Sequence, residues 1–253
     1  MITPQKSLEG KLALVTGASR GIGNGIARTL ADHGCRIIGV ARNSSTLEAA
    51  INGLPPVAGG HRTWVGDLLT EDGPKRLLEF CESEHLQPEI LINNLGGSLA
   101  IRAWDDVDDW RRVWDLNVGI GHTLNAHLIP HMVDIGWGRV IHVSSPSART
   151  FGGYEAYVSA KCALEGYVRS MGRNLNNTGV VLCAVAPGAI RVPERYIANL
   201  ERDDPTAFDE WLRTETKAAR LGSIDEVAQI VCFLASGAAS YMSGSIVPID
   251  GGT

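Results

Sequence analysis

No apolar run in this chain is long enough to cross a bilayer, and its 253 residues contain no CxxC pair. Its first ten residues, Met1 to Gly10, include Pro4, Gln5, Lys6 and Glu9 where a secretory signal needs an apolar centre. The cysteines, Cys35, Cys81, Cys162, Cys183 and Cys232, are odd in number and scattered. Such a set suggests neither a disulfide framework nor a zinc site, so we expect reduced packing residues and no metal. Aromatics are scarce at 6%, no basic stripe interleaves with them, and the formal charge is −5. A nucleic-acid or membrane partner is therefore not expected, and the cytoplasm is the expected location.

What is present is an ordinary globular composition, 44% hydrophobic and 20% charged. The length suits one domain covering residues 1–253 with a large core. Apolar runs of strand length recur at Leu12–Thr16, Arg36–Val40, Thr63–Val65, Ile90–Asn93, Val140–Val143, Val180–Ala186 and Ile246–Ile249. Helix-length stretches separate them. This alternation predicts an α/β fold: a single Rossmann-type, doubly wound, mainly parallel seven-stranded sheet with helices on both faces and right-handed crossovers.

After the first strand comes Thr16-Gly17-Ala18-Ser19-Arg20-Gly21-Ile22-Gly23, followed by a helical stretch. Glycines in such a turn let backbone approach a pyrophosphate, while the helix aims its N–H groups and positive dipole end at it. The bare alternative is a tight turn without a ligand, but its place between a strand and a helix favours the phosphate reading. From His33 to Leu47 there is no acidic residue. A site for the unphosphorylated dinucleotide usually places a carboxylate there for the ribose, whereas a 2′-phosphate needs a cation. Arg20 and Arg42 can supply that cation, so NADP(H) is expected over NAD(H); otherwise they are solvated surface arginines.

Tyr157-Val158-Ser159-Ala160-Lys161 falls in a predicted helix. The four-residue spacing projects phenol and ammonium from one face. A nearby cation lowers a phenol's pKa, which suits acid–base work on an alcohol or ketone oxygen. On an ordinary helix the same pair is an aromatic beside a solvated cation.

Taken together, the chain resembles the short-chain dehydrogenase/reductase family. Its glycine turn matches that family's TGxxxGxG pattern and its Tyr157/Lys161 pair matches YxxxK. Asp67, Asn93-Asn94, Asn117, Ser144-Ser145 and Pro187-Gly188 follow in the family's order. The resemblance implies a catalytic set of Asn117, Ser145, Tyr157 and Lys161, with Tyr157 exchanging a proton and Asn117 supporting a water that resupplies Lys161. It implies cofactor contacts from Gly17, Ser19, Arg20, Gly21, Ile22, Gly23 and Arg42, from Asp67 and Leu68 at the adenine, and from Asn94 and Gly96 along the ribose. Tyr157 and Lys161 would also hold the nicotinamide ribose, and Pro187, Gly188 and Ile190 would border the nicotinamide ring. Among its members the 3-oxoacyl-thioester reductases look most similar. Two glycines flank Asn117 closely, in Leu116-Asn117-Val118-Gly119-Ile120-Gly121, and predict a local helix distortion.

Counted from its strand, the family's serine falls on Ser145; counted back from Tyr157, it falls on Ser144. We prefer Ser145, because a missing residue is accommodated more easily in a surface loop than in a buried strand. Leu95 is bulkier than the family's small residue there, and Val192 stands where a threonine is common. Residues 190–217 are expected to form a substrate lid, with Tyr196, Phe208 and Trp211 in it. Leu99, Trp104, Ser147, Phe151 and Tyr154 are further candidates to line the site. The resemblance implies a homodimer or homotetramer, and a small carbonyl or alcohol as substrate. The rivals are an epimerase or dehydratase of the same superfamily and a non-catalytic NADP(H) sensor.

Overall fold

In the computed structural model, residues 8–102, 105–193 and 196–253 are described. Along the chain these form β1 (Leu12–Thr16), α1 (Gly21–Asp32), β2 (Arg36–Ala41), α2 (Ser44–Asn52), β3 (Arg62–Val65), α3 (Gly73–Ser83) and β4 (Ile90–Asn93). The next elements are α4 (Val107–Trp114), a π-helical turn (Asp115–Gly119), α5 (Ile120–Asp134), β5 (Gly138–Val143), α6 (Ser147–Thr150) and α7 (Glu155–Asn174). The chain closes with β6 (Val180–Pro187), α8 (Tyr196–Asp203), α9 (Pro205–Glu215), α10 (Ile224–Ala235) and β7 (Ile246–Ile249).

The seven strands make one sheet in the order β3-β2-β1-β4-β5-β6-β7, and every pairing among the described residues is parallel. Strand residues divide by alternation between two cores. Ala13, Val15, Ile90, Ile92, Ile141, Cys183 and Val185 join Ile26, Leu30, Leu47 and Val227 of α1, α2 and α10. On the opposite face Leu14, Leu91, Val140 and Leu182 join Leu77, Leu124, Leu164 and Val168 of α3, α5 and α7. Both faces are covered, so the strands read as continuous apolar runs.

Order reverses between β1 and β4, which places a crevice at their carboxyl ends. Thr16, at the end of β1, is buried there. Its hydroxyl donates to the Ile92 carbonyl (3.2 Å) and accepts from the amides of Asn94 (2.9 Å) and Leu95 (3.1 Å). One threonine thus fixes how the loop after β4 leaves the sheet beside the glycine turn.

Candidate active site

A cleft of about 790 Å³ opens at this edge, within the size range of ligand sites. Gly17, Ser19, Arg20, Gly21, Ile22 and Gly23 line one end with Arg42, Asp67 and Leu68. Asn94, Leu95, Gly96 and Val192 border its middle, and Ser144, Ser145, Tyr157, Lys161, Pro187 and Gly188 its far end.

At the glycine turn a side chain at position 23 would put its Cβ 2.3 Å from the Gly17 carbonyl and 2.5 Å from Asn94 Nδ2. Backbone and helix can meet so closely only through glycine. Asn94 Nδ2 also donates to the Thr16 carbonyl (2.9 Å), tying the β4 loop to the turn. Arg20, at the N-cap of α1, has extended backbone and offers no side-chain acceptor to the first-turn N–H groups. Those donors therefore face the cleft without a cap, which is the arrangement an anionic group needs. Leu95 lies over Gly17, with Cδ2 at 3.3 Å from where a Cβ would sit, and packs partly on the core. Val192 approaches the same turn from the other side, its Cγ1 3.1 Å from a Cβ built on Gly21.

Arg42 and Asp67 face each other across the cleft mouth as an exposed ion pair at 3.6 Å. Asp67 Oδ1 also accepts from the Leu69 amide (2.9 Å), shaping its turn. Leu68 is buried.

At the far end, the two serines that follow β5 have different partners. Ser144 donates to Glu165 Oε1 (3.0 Å), and Ser145 lies near the Tyr157 phenol at this end of the cleft. Ser145 Oγ also donates to Ser147 Oγ (3.2 Å) and accepts from the Ser147 amide (3.2 Å). Burial pushes the Tyr157 phenol above its ordinary value, and the neighbouring Ser145 hydroxyl offsets part of that rise. Lys161 is buried, with Nζ 5.6 Å from the Tyr157 ring centre and donating to the Val143 carbonyl (2.8 Å). Burial pulls its ammonium down to about 7, with Glu165 opposing. The sequence spacing led us to expect Lys161 to lower the Tyr157 pKa; burial of both groups is instead the larger influence on each, because neither sits in water.

Asn117 occupies a π turn, where the glycines after it led us to expect a local helix distortion. It lies behind the cleft wall, buried, where Nδ2 donates to the Val113 carbonyl (2.7 Å) and the Gly97 carbonyl (2.9 Å). Its Oδ1 accepts from the Gly97 amide (3.0 Å). A Cβ at position 96 would lie 2.9 Å from Asn117 Oδ1 and 3.0 Å from Lys161 Nζ, so glycine keeps the space between them open.

Ile190 is not among the residues that line this cleft. Its side chain is buried in the core with α10 and lines a separate 330 Å³ cavity beside Thr216 and Arg220, away from the catalytic end. The isolated bridge from Ile190 to Gly222 turns it inward. Of the other candidates, Leu99 lines the cleft, Phe151 is 72% exposed, and Tyr154 lies beneath Arg102 at 4.8 Å. Trp104 falls outside the described residues, as does the side chain of Tyr196. Residues 190–217 contain α8 and α9, with Phe208 buried and stacked on Trp211 at 6.3 Å. Sequence reasoning missed Ser98, Ala100 and Leu116 in the cleft lining, for want of any chemical signal in their types.

These residues fit a dinucleotide: glycine-lined cradle, uncapped helix donors and a paired arginine at one end, hydroxyl, phenol and ammonium at the other. Residues 17–253 match the family model described as enoyl-(acyl carrier protein) reductase. The 3-oxoacyl-(acyl-carrier-protein) reductase of Pseudomonas aeruginosa is 35% identical over 97% of this chain and 98% of its own. The crystal structure of a 3-oxoacyl-(acyl-carrier-protein) reductase from Agrobacterium tumefaciens C58 with NADP bound superposes with a TM-score of 0.89 at 28% identity, covering 100% of this chain and 98% of that one. L-Sorbose reductase from Gluconobacter frateurii, complexed with NADPH and L-sorbose, gives a TM-score of 0.86 at 28% identity over 98% of each chain. The chain belongs to the short-chain dehydrogenase/reductase family.

Proposed function

We propose that this protein is an NADP(H)-dependent oxidoreductase interconverting a ketone and a secondary alcohol, with Tyr157 as general acid and base. The observation that carries this reading is the convergence of the Ser145 hydroxyl, the Tyr157 phenol and the Lys161 ammonium at one end of the glycine-lined cleft. The dinucleotide supplies or receives the hydride. In reduction, Tyr157 gives its Oη proton to the carbonyl oxygen, and Ser145 donates a hydrogen bond to that oxygen as negative charge builds there. Burial favours the neutral phenol, so the proton is held until an acceptor arrives. Lys161, titrating near neutrality, is poised to return a proton toward Tyr157. Asn117 keeps the turn beside Gly96 open and supports the water through which Lys161 is resupplied.

Gly17, Ser19, Gly21, Ile22 and Gly23 with the α1 donors hold the pyrophosphate, and Arg20 and Arg42 the 2′-phosphate. Asp67 and Leu68 meet the adenine, Asn94 and Gly96 the ribose, and Pro187 and Gly188 the nicotinamide. Residues 190–217 act as a lid within one domain. The protein works in the cytoplasm as a homodimer or homotetramer; all five cysteines are unpaired, and no described helix is long and apolar enough to cross a membrane.

The test is oxidation of NADPH and of NADH by purified protein with a panel of ketones, polyol-derived ketoses and 3-oxoacyl thioesters, alongside Tyr157→Phe. Turnover favouring NADPH and lost in the variant supports the reading. Tight dinucleotide binding with no turnover on any compound overturns it in favour of a sensor.

A further inference from the structure

Glu165 lies one helical turn beyond Lys161 on α7 and is 6% exposed, the only buried carboxylate among the described residues. Burying a charge is costly unless partners compensate. Its Oε1 accepts from Ser144 (3.0 Å), while Oε2 lies 3.5 Å from Arg169, whose guanidinium sits on the solvent side. Neither contact is used by the reaction described above. Lys161, equally buried, has a neutral hydrogen-bond acceptor in the Val143 carbonyl.

The other elements packed on α7 offer no competing buried counter-charge. From β5, His142 faces this region with its ring held neutral, burial having pulled it down to about 3. From α4 and the π turn come Asp108, Asp109, Arg111, Arg112 and Asp115, exposed or at the rim, with Arg111 paired to Asp108 and Arg112 to Asp109. Arg149 of α6 is paired with Asp250 beyond β7 (2.7 Å), and His122 of α5 stands edge-on to Tyr167 at the surface. The strands β6 and β7 carry no charged side chain.

We propose that Glu165 is a positioning residue of the Tyr157/Lys161 pair: its buried carboxylate, braced by Ser144, is the counter-charge that keeps Lys161 an ammonium around neutral pH. The inference rests on the oxidoreductase reading for its purpose but not for its test. Arg169 moderates the effect by drawing part of the carboxylate's field toward solvent.

Selective 13C labelling of the five lysines lets Lys161 be titrated by NMR in the cofactor-free protein, with Lys161→Arg identifying its resonance. Glu165→Gln retains an oxygen for Ser144 and removes only the charge. We expect the Lys161 midpoint to fall by about one pH unit or more in Glu165→Gln. It should rise in the surface variant Arg169→Gln. With NADPH and the best ketone, the alkaline limb of the reduction rate should move in the same directions, which a merely structural role would not produce. An unchanged Lys161 midpoint in a folded Glu165→Gln overturns the proposal, as does a fall in Arg169→Gln. Full turnover in Tyr157→Phe would instead overturn the functional reading and leave the titration result standing.

Discussion

Replacing Arg42 by alanine should weaken NADPH binding far more than NADH binding, and the structure sets how far. A charge-assisted hydrogen bond from guanidinium to phosphate contributes about 1.5–3 kcal/mol. Against this stands the pair Arg42 already makes: its guanidinium lies 3.6 Å from Asp67, with the two side chains 74% and 39% exposed. An ion pair that open to water contributes at most about 1 kcal/mol, so the phosphate can draw Arg42 away at small cost. The net loss in Arg42→Ala is then about 0.5–3 kcal/mol, or about twofold to a hundredfold in NADPH affinity. NADH, with no 2′-phosphate, should change less than about twofold. Fluorescence titration of both dinucleotides with wild type and variant reads this ratio directly. Salt supplies a second check, because the NADPH affinity of wild type should fall more steeply with ionic strength than that of the variant. Equal losses for both dinucleotides would mean that Arg42 supports the fold of the adenine end. No loss for either would reduce Arg42 to a surface partner of Asp67.

Ser223 accepts from the Glu226 amide while Glu226 Oε2 accepts from the Ser223 amide, a reciprocal cap on α10. Ser223→Ala should cost about 1 kcal/mol and lower Tm by about 2–4 °C in a scanning calorimeter, with activity per folded molecule unchanged. The buried His142 ring should make the protein acid-sensitive, because its folded pKa of about 3 lies below the ordinary 6.5. Its stabilising share is whole above pH 6.5 and is lost as pH falls toward 3, with a ceiling of about 5 kcal/mol. Lys161 does not contribute to this limb, since below pH 7 it is protonated in both states. Urea unfolding from pH 7 to 4 should therefore show falling stability, with a flatter slope in His142→Gln; equal slopes would place the acid sensitivity elsewhere.

Strands were legible because a parallel sheet covered on both faces leaves no polar alternation to blur their ends. Leu12–Thr16, Ile90–Asn93 and Ile246–Ile249 were read to the residue. The π turn was legible for a local reason: glycines beside Asn117 weaken the α-helical pattern. What stayed hidden depends on contacts between residues far apart in the chain. Asn93, Asn125 and His142 form a buried polar cluster that the half-buried Tyr167 completes, with Asn125 Nδ2 at 3.0 Å from His142 Nε2 and 2.9 Å from Tyr167 Oη. No local pattern marks Asn125, His142 and Tyr167 as partners of Asn93. The packing of the Ile190 side chain was not legible, because its residue type fits either a ring contact or the core, and its place in the core comes with the bridge to Gly222. The acidity of Tyr157 was misjudged because spacing shows that Lys161 is near but not that both groups are dry.

How a serine just past a strand comes to lie near a phenol on a helix follows from two cross-links between the same elements. At the end of β5 the Val143 carbonyl accepts from Lys161 Nζ, and the next residue, Ser144, donates to Glu165. One residue along the strand advances about 3.3 Å and reverses the side chain, while four residues along α7 advance about 6 Å and nearly restore the face. Using a main-chain acceptor for one link and a side chain for the other reconciles the two periods. Both links close only in one helix register, since sliding α7 by one residue would turn Lys161 and Glu165 by about 100°. In that register Ser145 lies near Tyr157, one turn before Lys161. The placing of Ser145 beside Tyr157 therefore depends on a second pair, Ser144 and Glu165, bonded between the same two elements.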